Sequence, residues 1–245
     1  MNDRKTSQVT QQKVEKPAPV RSGAGEIEAF VRHARALATV QKDGGRLILA
    51  LDATMSRQPT WDLACQLQAQ MFDATGKAGA LNVQLVYFRG LGECRSSKFT
   101  DDTAVLKDLM ARIECRGGHT QIGKVFSHAL TEHKGGKVNA VVFIGDAMEE
   151  AVDDLAAKAG ALGLRGVPLF LFQEGHDPTT ESAFKEFARL SKGAWFRFDR
   201  NAAAALAKLL SAVAVFATGG LAALEARDRP EDRLMIEHLR GSNPA

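Results

Sequence analysis

The sequence predicts an α/β fold, a doubly wound and mostly parallel central sheet with helices on both faces. Short apolar runs alternate with helix-length segments, which is the pattern of strand–helix units that build parallel sheets. Two of the runs, "RLILAL" (46–51) and "VNAVVFIG" (138–145), are almost continuously apolar, as expected for strands covered on both faces. The chain has 245 residues, 45% of them apolar, and can therefore bury a full core.

The other elements follow from the same alternation. "LNVQLVYFRG" (81–90) predicts the second strand, and "SSKFT" (96–100) predicts a short third strand that turns back antiparallel through "GLGE". "VPLFLF" (167–172) and "AWFRF" (194–198) predict the last two strands. Helices are predicted over 60–76, 101–114, 122–133, 149–162, 179–193 and 201–225. The two acids at the start of the second of these helices suit the positive end of a helix dipole.

The net charge of +3 is concentrated at the N-terminus. Residues 1–25 hold five of the 32 Lys and Arg and two of the 29 Asp and Glu, which leaves 27 of each sign in residues 26–245. The body of the chain is therefore balanced, and this argues against a nucleic-acid partner. The first 25 residues are rich in Gln, Lys, Pro and Ser. We predict a disordered basic tail (1–25), one α/β domain (26–225) and a C-terminal extension (226–245).

The cysteines indicate a reducing compartment, and the hydropathy pattern argues against a secretory signal and a membrane span. The three cysteines, Cys65, Cys94 and Cys115, show no C-x-x-C spacing, and their odd number leaves a thiol unpaired in a monomer. The N-terminal segment lacks the apolar run of a secretory signal. The most apolar segment, 202–224, is interrupted by Lys208 and a Gly pair, which favours a buried helix over a membrane span. We therefore expect a cytoplasmic protein with no membrane contact.

The loop "GGHTQIGK" (117–124) matches the phosphate-binding pattern G-x-x-x-x-G-K only in part. A phosphate-binding loop needs Ser or Thr after the lysine to hold Mg²⁺, and this chain has Val125 there. Such a loop also leaves a β-strand, whereas the segment before this one has a helical pattern. We attribute the match of Lys124 to chance and regard Thr120 as the residue of interest in this loop.

Oxygen-bearing side chains follow the predicted central strands. The candidates are Asp52, Thr54 and Ser56 after the first strand, Thr120 in the Gly-Gly loop, and Asp146 after "VNAVVFIG". Ligands of open α/β sheets bind beyond the carboxyl ends of the strands, so we expect these five residues to converge. An all-oxygen set with two formal charges suits a hard divalent cation, Mg²⁺ or Mn²⁺, with about one coordination position left for an outside ligand.

These five residues, in this order and spacing, resemble the metal-ion-dependent adhesion site (MIDAS) of von Willebrand factor A (VWA) domains. The resemblance spans roughly residues 44–215 and implies the Rossmann-like VWA fold. It implies that the three hydroxyls bind the metal directly and that the two aspartates bind it directly or through water. Two differences from the family stand out: Thr54 replaces the commoner Ser, and Ala147 follows the second Asp where Gly is frequent.

The resemblance implies a protein–protein interaction module and no enzyme. In the family, a Glu or Asp of a protein partner completes the coordination of the metal. Intracellular VWA proteins often work beside AAA+ ATPases or in stress-related assemblies, so a partner of that kind is expected. The basic tail and the C-terminal extension, with Leu234, Ile236 and Leu239, offer further docking segments.

Helix capping is a simpler interpretation of each candidate taken alone. Thr120 is placed to cap the helix from Ile122, and Asp146 to cap a helix that begins at Glu149. The acidic run "EEAVDD" (149–154) is then either a solvated helix start or a charged rim that selects a basic partner. His119, next to Thr120, either faces solvent or faces a partner.

Two further interpretations stay open. A faint resemblance to the haloacid-dehalogenase phosphatases predicts a Mg²⁺-dependent phosphohydrolase that uses Asp52, Thr120, Lys124 and Asp146 or Glu150. Those enzymes usually have an acid–base Asp two residues after the nucleophile, and this chain has a Thr there. The other interpretation is a scaffold whose metal has only a structural role.

Overall fold

Strands and helices alternate as the sequence predicts. The computed structural model describes residues 44–57, 81–198 and 203–241, and the description below concerns these ranges. The strands are β1 (Arg46–Asp52), β2 (Asn82–Arg89), β3 (Glu93–Ser96), β4 (Ala140–Gly145), β5 (Leu169–Glu174) and β6 (Ala194–Phe198). The helices are α1 (Thr103–Ala111), α2 (Ile122–Gly135), α3 (Val152–Gly163), α4 (Pro178–Ser191), α5 (Ala203–Arg227) and α6 (Pro230–Gly241). The predicted tail 1–25 and the predicted helix 60–76 lie outside the described residues.

The described strands form one sheet in the order β3-β2-β1-β4-β5-β6. All neighbours are parallel except β2 and β3, which pair antiparallel. The strand order reverses between β1 and β4. The chain adds β2 and β3 on one side of β1, and then adds β4, β5 and β6 on the other side of β1. In doubly wound sheets, this switch point is where a crevice opens beyond the carboxyl ends of the strands. The predicted fold class is confirmed.

Helices cover both faces of the sheet. Along β1, Leu47 and Leu49 belong to one buried cluster and Ile48 to the other, as the period of two in a strand requires. The first cluster includes residues of α1, α5 and α6, and the second includes residues of α2, α3 and α4. The strands β4 and β5 are buried along their whole length. This double covering explains why the central strands are continuously apolar in the sequence.

The third strand lies three residues earlier than predicted. It comprises Glu93–Ser96 and pairs Arg89 with Glu93 through the short turn 90–92. The predicted segment 96–100 leaves the strand after Ser96, and its last residue makes one isolated bridge, between Thr100 and Val83. The prediction of an antiparallel edge strand is confirmed and its position was wrong, because the turn is only three residues long and strand pairing resumes at once.

Two helices begin later than predicted, because the acidic residues at their predicted starts lie before the first helical turn. Asp102 is the N-cap of α1 and accepts hydrogen bonds from the backbone N–H of Ala104 and Val105, so the predicted acids lie before the first turn. The predicted helix 149–162 begins at Val152 instead. The backbone of residues 149–150 is not helical because it forms the loop that joins β4 to α3, and this loop belongs to the candidate site described below.

The closing helix α5 packs against the sheet. By length and composition, Ala204–Arg227 is the one helix of the described ranges apolar enough to cross a membrane. Within this structure, Leu210, Val213 and Ala214 of the helix are buried in the core. Gly220 adopts φ 65° and ψ −159°, which interrupts the helical path. The burial agrees with the predicted core helix.

The C-terminal helix α6 also packs on the body of the domain. Met235 and Ile236 are buried in the core, and Leu239 packs against it. Of the three apolar residues predicted for docking, only Leu234 is substantially exposed, at 41%. The apolar face of the segment 226–241 is therefore largely used within the chain.

A buried ion pair fixes the turn between α5 and α6. Asp232 is fully buried and its Oδ2 accepts from Arg227 Nε at 2.7 Å and from the backbone N–H of Arg229 at 3.0 Å. Arg227 also donates from Nη1 to Ser211 Oγ at 2.7 Å. The guanidinium thus links two points of α5 to the start of α6. Removing one partner of a buried pair leaves the other charge poorly compensated.

We predict that Asp232→Asn lowers the free energy of unfolding by about 3 kcal/mol, because it leaves Arg227 with only the more distant carboxylate of Glu231, 3.9 Å away. Urea denaturation of the full chain measures the change. Asp228→Asn is the matched control: Asp228 makes an exposed pair with Arg233, and its replacement should change stability much less. Equal effects of the two variants would show that burial of the Arg227 pair is unimportant.

Candidate metal site

The end of β1 presents three polar side chains in a tight turn. Asp52 is the last residue of the strand and only 1% exposed, and its Oδ1 accepts from the backbone N–H of Thr54 at 2.8 Å. The hydroxyls of Thr54 and Ser56 lie 3.1 Å apart. Short Asp side chains stabilise such turns by accepting from the backbone two residues on. The D-x-T-x-S spacing therefore brings a carboxylate and two hydroxyls to one place.

The loop before α2 is held against the turn between β2 and β3. The backbone N–H of His119 donates to the carbonyl of Gly90 at 3.3 Å. A Cβ on Gly118 would lie only 2.0 Å from the same carbonyl oxygen, so no larger residue fits there without movement. Gln121 donates from Nε2 to the Arg89 carbonyl at 3.2 Å, which ties the end of the loop to the same turn. These contacts set the position of Thr120.

Thr120 is bonded reciprocally to the loop that follows β4. Its hydroxyl accepts from the backbone N–H of Glu149 at 3.0 Å, and its own N–H donates to Glu149 Oε2 at 3.1 Å. The same carboxylate oxygen lies 3.0 Å from His119 Nδ1. A hydroxyl has two lone pairs. The Thr120 oxygen therefore keeps one lone pair for another ligand.

Glu150 caps the first turn of α2. Its carboxylate accepts from the backbone N–H of Ile122 at 2.5 Å and of Gly123 at 2.9 Å. The helix dipole makes this a favourable place for a negative charge. The alternative prediction that Thr120 caps α2 is therefore wrong. The cap is Glu150, in the segment after β4, and it lies too far along the chain for a local sequence pattern to show the contact.

Asp146 directly follows Gly145, the last residue of β4, and its side chain also faces the crevice. Its Oδ1 is buried and has no hydrogen-bond partner among the described residues. It does not cap a helix at Glu149, since α3 begins three residues later. A buried carboxylate oxygen without a partner is costly. A cation or a bound water would remove that cost.

All five predicted residues line one pocket of about 320 Å³ at the switch point of the sheet. The lining comprises Asp52, Thr54, Met55, Ser56, Gly117, Gly118, Thr120, Asp146, Ala147 and Glu149. The described ranges contain no group of three or more His, Cys, Asp or Glu side chains arranged to hold a metal. The candidate donors are instead two aspartates with three hydroxyls, a set of hard oxygen ligands that fits Mg²⁺ or Mn²⁺.

Lys124 does not belong to this pocket. Its Nζ donates to the carbonyl of Gly92 and to Gln121 Oε1, both at 2.8 Å, and so fastens α2 to the β2–β3 turn. Lys124 and Glu150 line a different pocket, on the other side of the α2 start. The residues that a haloacid-dehalogenase phosphatase would need are therefore divided between two pockets.

No sequence pattern predicts the contacts of Glu149 and Glu150. Both acids belong to "EEAVDD" (149–154), which the sequence assigned to a helix start or a charged rim. Their partners lie nearly 30 residues earlier in the chain, so no local pattern could have shown these contacts. Gly118 allows close approach of its loop to Gly90, which the sequence did not predict either.

No protein-family model matches this chain, and no curated protein matches it. Solved structures do resemble it. The VWA domain of SpRpn10 superposes with a TM-score of 0.57 at 12% identity, over 67% of this chain and 94% of that one. A von Willebrand factor type A protein from Catenulispora acidiphila gives 0.57 at 14% identity, over 70% of this chain and 43% of that one.

A further similar structure is that of an aerotolerance-related membrane protein from Bacteroides fragilis. It gives a TM-score of 0.52 at 19% identity, over 66% of this chain and 96% of that one. Identities this low show likeness of fold. The chain therefore has the fold of VWA domains.

We predict that Gly118→Ala lowers the free energy of unfolding by about 1–3 kcal/mol, because the added Cβ overlaps the Gly90 carbonyl and displaces the Thr120 loop. Thermal and urea denaturation measure the change. Gly117→Ala is the matched control: a Cβ there meets nothing within 4 Å, so the change should stay within about 0.5 kcal/mol. Two variants of equal stability would contradict the proposed packing of this loop.

Proposed function

We propose that this VWA-type domain is a metal-dependent protein-interaction module. A divalent cation, Mg²⁺ or Mn²⁺, is held by Asp52, Thr54, Ser56, Thr120 and Asp146. An acidic side chain of a partner protein, Glu or Asp, takes the coordination position left open to solvent. The domain itself performs no chemical reaction. The location is the cytoplasm, as the thiol usage of the sequence suggests.

The observation that carries this proposal is the buried Oδ1 of Asp146. It lies in a pocket shared with the carboxylates of Asp52 and Glu149 and with three hydroxyls, and no described group donates a hydrogen bond to it. Such an oxygen is better satisfied by a cation than by an apolar or anionic neighbour. The free lone pair of the Thr120 hydroxyl and the adjacent hydroxyls of Thr54 and Ser56 supply uncharged donors beside it.

The charge balance of the pocket accounts for the expected partner. Two aspartates balance a divalent cation formally, but hydroxyl ligands donate little charge, so the cation stays attractive to a further carboxylate. Gly117 and Gly118 add no side chains to the lining of the pocket, and Glu149 is held by Thr120 and His119. A partner carboxylate would thus be attracted by the metal, and binding would fail without it.

The nature of the partner rests on the VWA resemblance. AAA+ ATPases and stress-related assemblies are the first candidates, because intracellular VWA proteins often work beside them. The balanced charge of residues 26–245 supports a protein partner over nucleic acid.

We predict that metal-free full-length protein binds Mg²⁺ and Mn²⁺ at one site in a calorimetric titration, and that Asp146→Asn and Thr120→Val each weaken binding at least about tenfold. The first variant removes a formal charge, and the second removes one hydroxyl with little change of shape. Thr131→Val is the control: its hydroxyl bonds the Ser127 carbonyl on α2, outside the pocket.

Absence of binding by the unmodified protein, or unchanged binding in Asp146→Asn, would overturn the metal assignment. Circular dichroism of each variant establishes that loss of binding is not loss of folding.

We predict that a partner captured from cell extract with Mg²⁺ is released by a chelator and is not captured by Asp146→Asn. Replacing the partner's Asp and Glu residues one at a time by Asn or Gln should identify a single acid whose loss abolishes binding in the presence of Mg²⁺. Capture that is equally strong with chelator would contradict a metal-bridged contact.

A further inference from the structure

A second pocket, of about 490 Å³, lies on the other side of the α2 start and shares no lining residue with the candidate metal site. Its walls are the first turns of α2, the edge strand β3, and the segment from Glu150 to α3. Small-molecule sites typically have volumes of roughly 300–1,000 Å³. The pocket is therefore large enough for a small organic ligand, and the proposed metal-dependent function does not use it.

The charged side chains of this pocket favour an anion. Arg95, Lys124 and Lys158 line it together with one carboxylate, that of Glu150. The Glu150 oxygens are bonded to two backbone N–H groups at the start of α2, where the helix dipole balances their charge. Arg95 is paired with Glu93 at 2.8 Å. The charges of the two lysines are left without a paired acid within the described ranges.

The two lysines also keep unused hydrogen-bond donors. An ammonium group has three N–H donors. Lys124 uses two, on the Gly92 carbonyl and Gln121 Oε1, and Lys158 uses one, on the Gly123 carbonyl at 3.2 Å. Neutral backbone and amide oxygens hold both amines in place without cancelling their charge. Positioned cations with donors to spare are what recognition of an anion requires.

The remaining polar groups of the pocket are neutral. Burial raises the pKa of the Cys94 thiol, and burial lowers the pKa of His128, so neither side chain carries a charge near neutral pH. Ser96, Ser127 and Thr131 add hydroxyls to the lining. Among the described lining residues, only Glu150 therefore repels an anion, and the hydroxyls suit a ligand with a polar body.

We propose that this pocket binds a small organic anion, a phosphate monoester or a carboxylate with a hydroxylated body, through the ammonium groups of Lys124 and Lys158. The anionic group lies between the two amines, and the polar body lies along the hydroxyls of α2. The site is distinct from the metal pocket, although the consecutive residues Glu149 and Glu150 face one pocket each.

The test is an NMR titration of ¹⁵N-labelled, metal-free full-length protein with glycerol phosphate, at constant ionic strength because salt screens such contacts. The chelator that removes metal from the protein is dialysed away before the titration, because the chelator is itself an anion and would compete for the site. We expect saturable shifts of the amides of residues 94–96 and 123–131. Glycerol, the uncharged counterpart of the probe, should cause none. Because no metal is present, the outcome is independent of the proposed metal-dependent function.

Lys158→Met should weaken binding of glycerol phosphate about three- to fivefold, as expected for loss of one partly exposed charge contact. Lys158→Arg keeps the charge and should bind nearly as well as the unmodified protein. Lys107→Met removes an exposed lysine of α1 and is the control, with no expected effect. Inorganic phosphate should bind the same site more weakly, because it lacks the polar body.

Absence of saturable shifts would overturn the proposal, and so would equal weakening by Lys158→Met and Lys107→Met, which would indicate attraction to net charge alone. Equal shifts with glycerol would overturn it as well, because the anionic group would then be irrelevant.

Discussion

The parallel pairing of β1 with β4 is the constraint on which the candidate metal site depends. Leu51 lies opposite Ile144 in this pairing, so Asp52 leaves the sheet beside Gly145, and Asp146 follows one residue later at the same carboxyl edge. Gly145 makes this possible, because a Cβ there would overlap the ring of Phe143 and lie 3.6 Å from the Asp52 side chain. Two carboxylates separated by more than 90 residues therefore share one crevice. The burial of both strands on both faces keeps that register fixed.

Around this strand pair, the loops fix one another. The β2–β3 turn supports the Gly-Gly loop through Gly90, and that loop in turn exchanges two hydrogen bonds with Glu149. Lys124 fastens α2 to the same turn. Each contact involves backbone on at least one side, so the geometry depends on close approach of main chains and less on flexible side chains. A preorganised pocket of this kind needs no loop ordering to bind a metal, which favours affinity.

The start of α2 separates two pockets of opposite character. On one side, carboxylates and hydroxyls form a site suited to a cation, and on the other side two lysines form a site suited to an anion. Glu149 and Glu150 are adjacent in the chain but line different pockets, Glu149 the candidate metal site and Glu150 the second pocket. Glu150 thus caps the start of α2, and Glu149 forms hydrogen bonds with Thr120 in the loop before that helix.

The sequence by itself determined the fold class, the order of the elements and the five oxygen-bearing residues, because buried parallel strands are continuously apolar and their carboxyl ends meet at one edge. It misplaced β3 by three residues, since turn length is set by pairing with β2. It also missed the roles of Glu149, Glu150 and Gly118. Only the tertiary structure decided these, because each role is a contact between segments about 30 residues apart, and no local periodicity records such a contact.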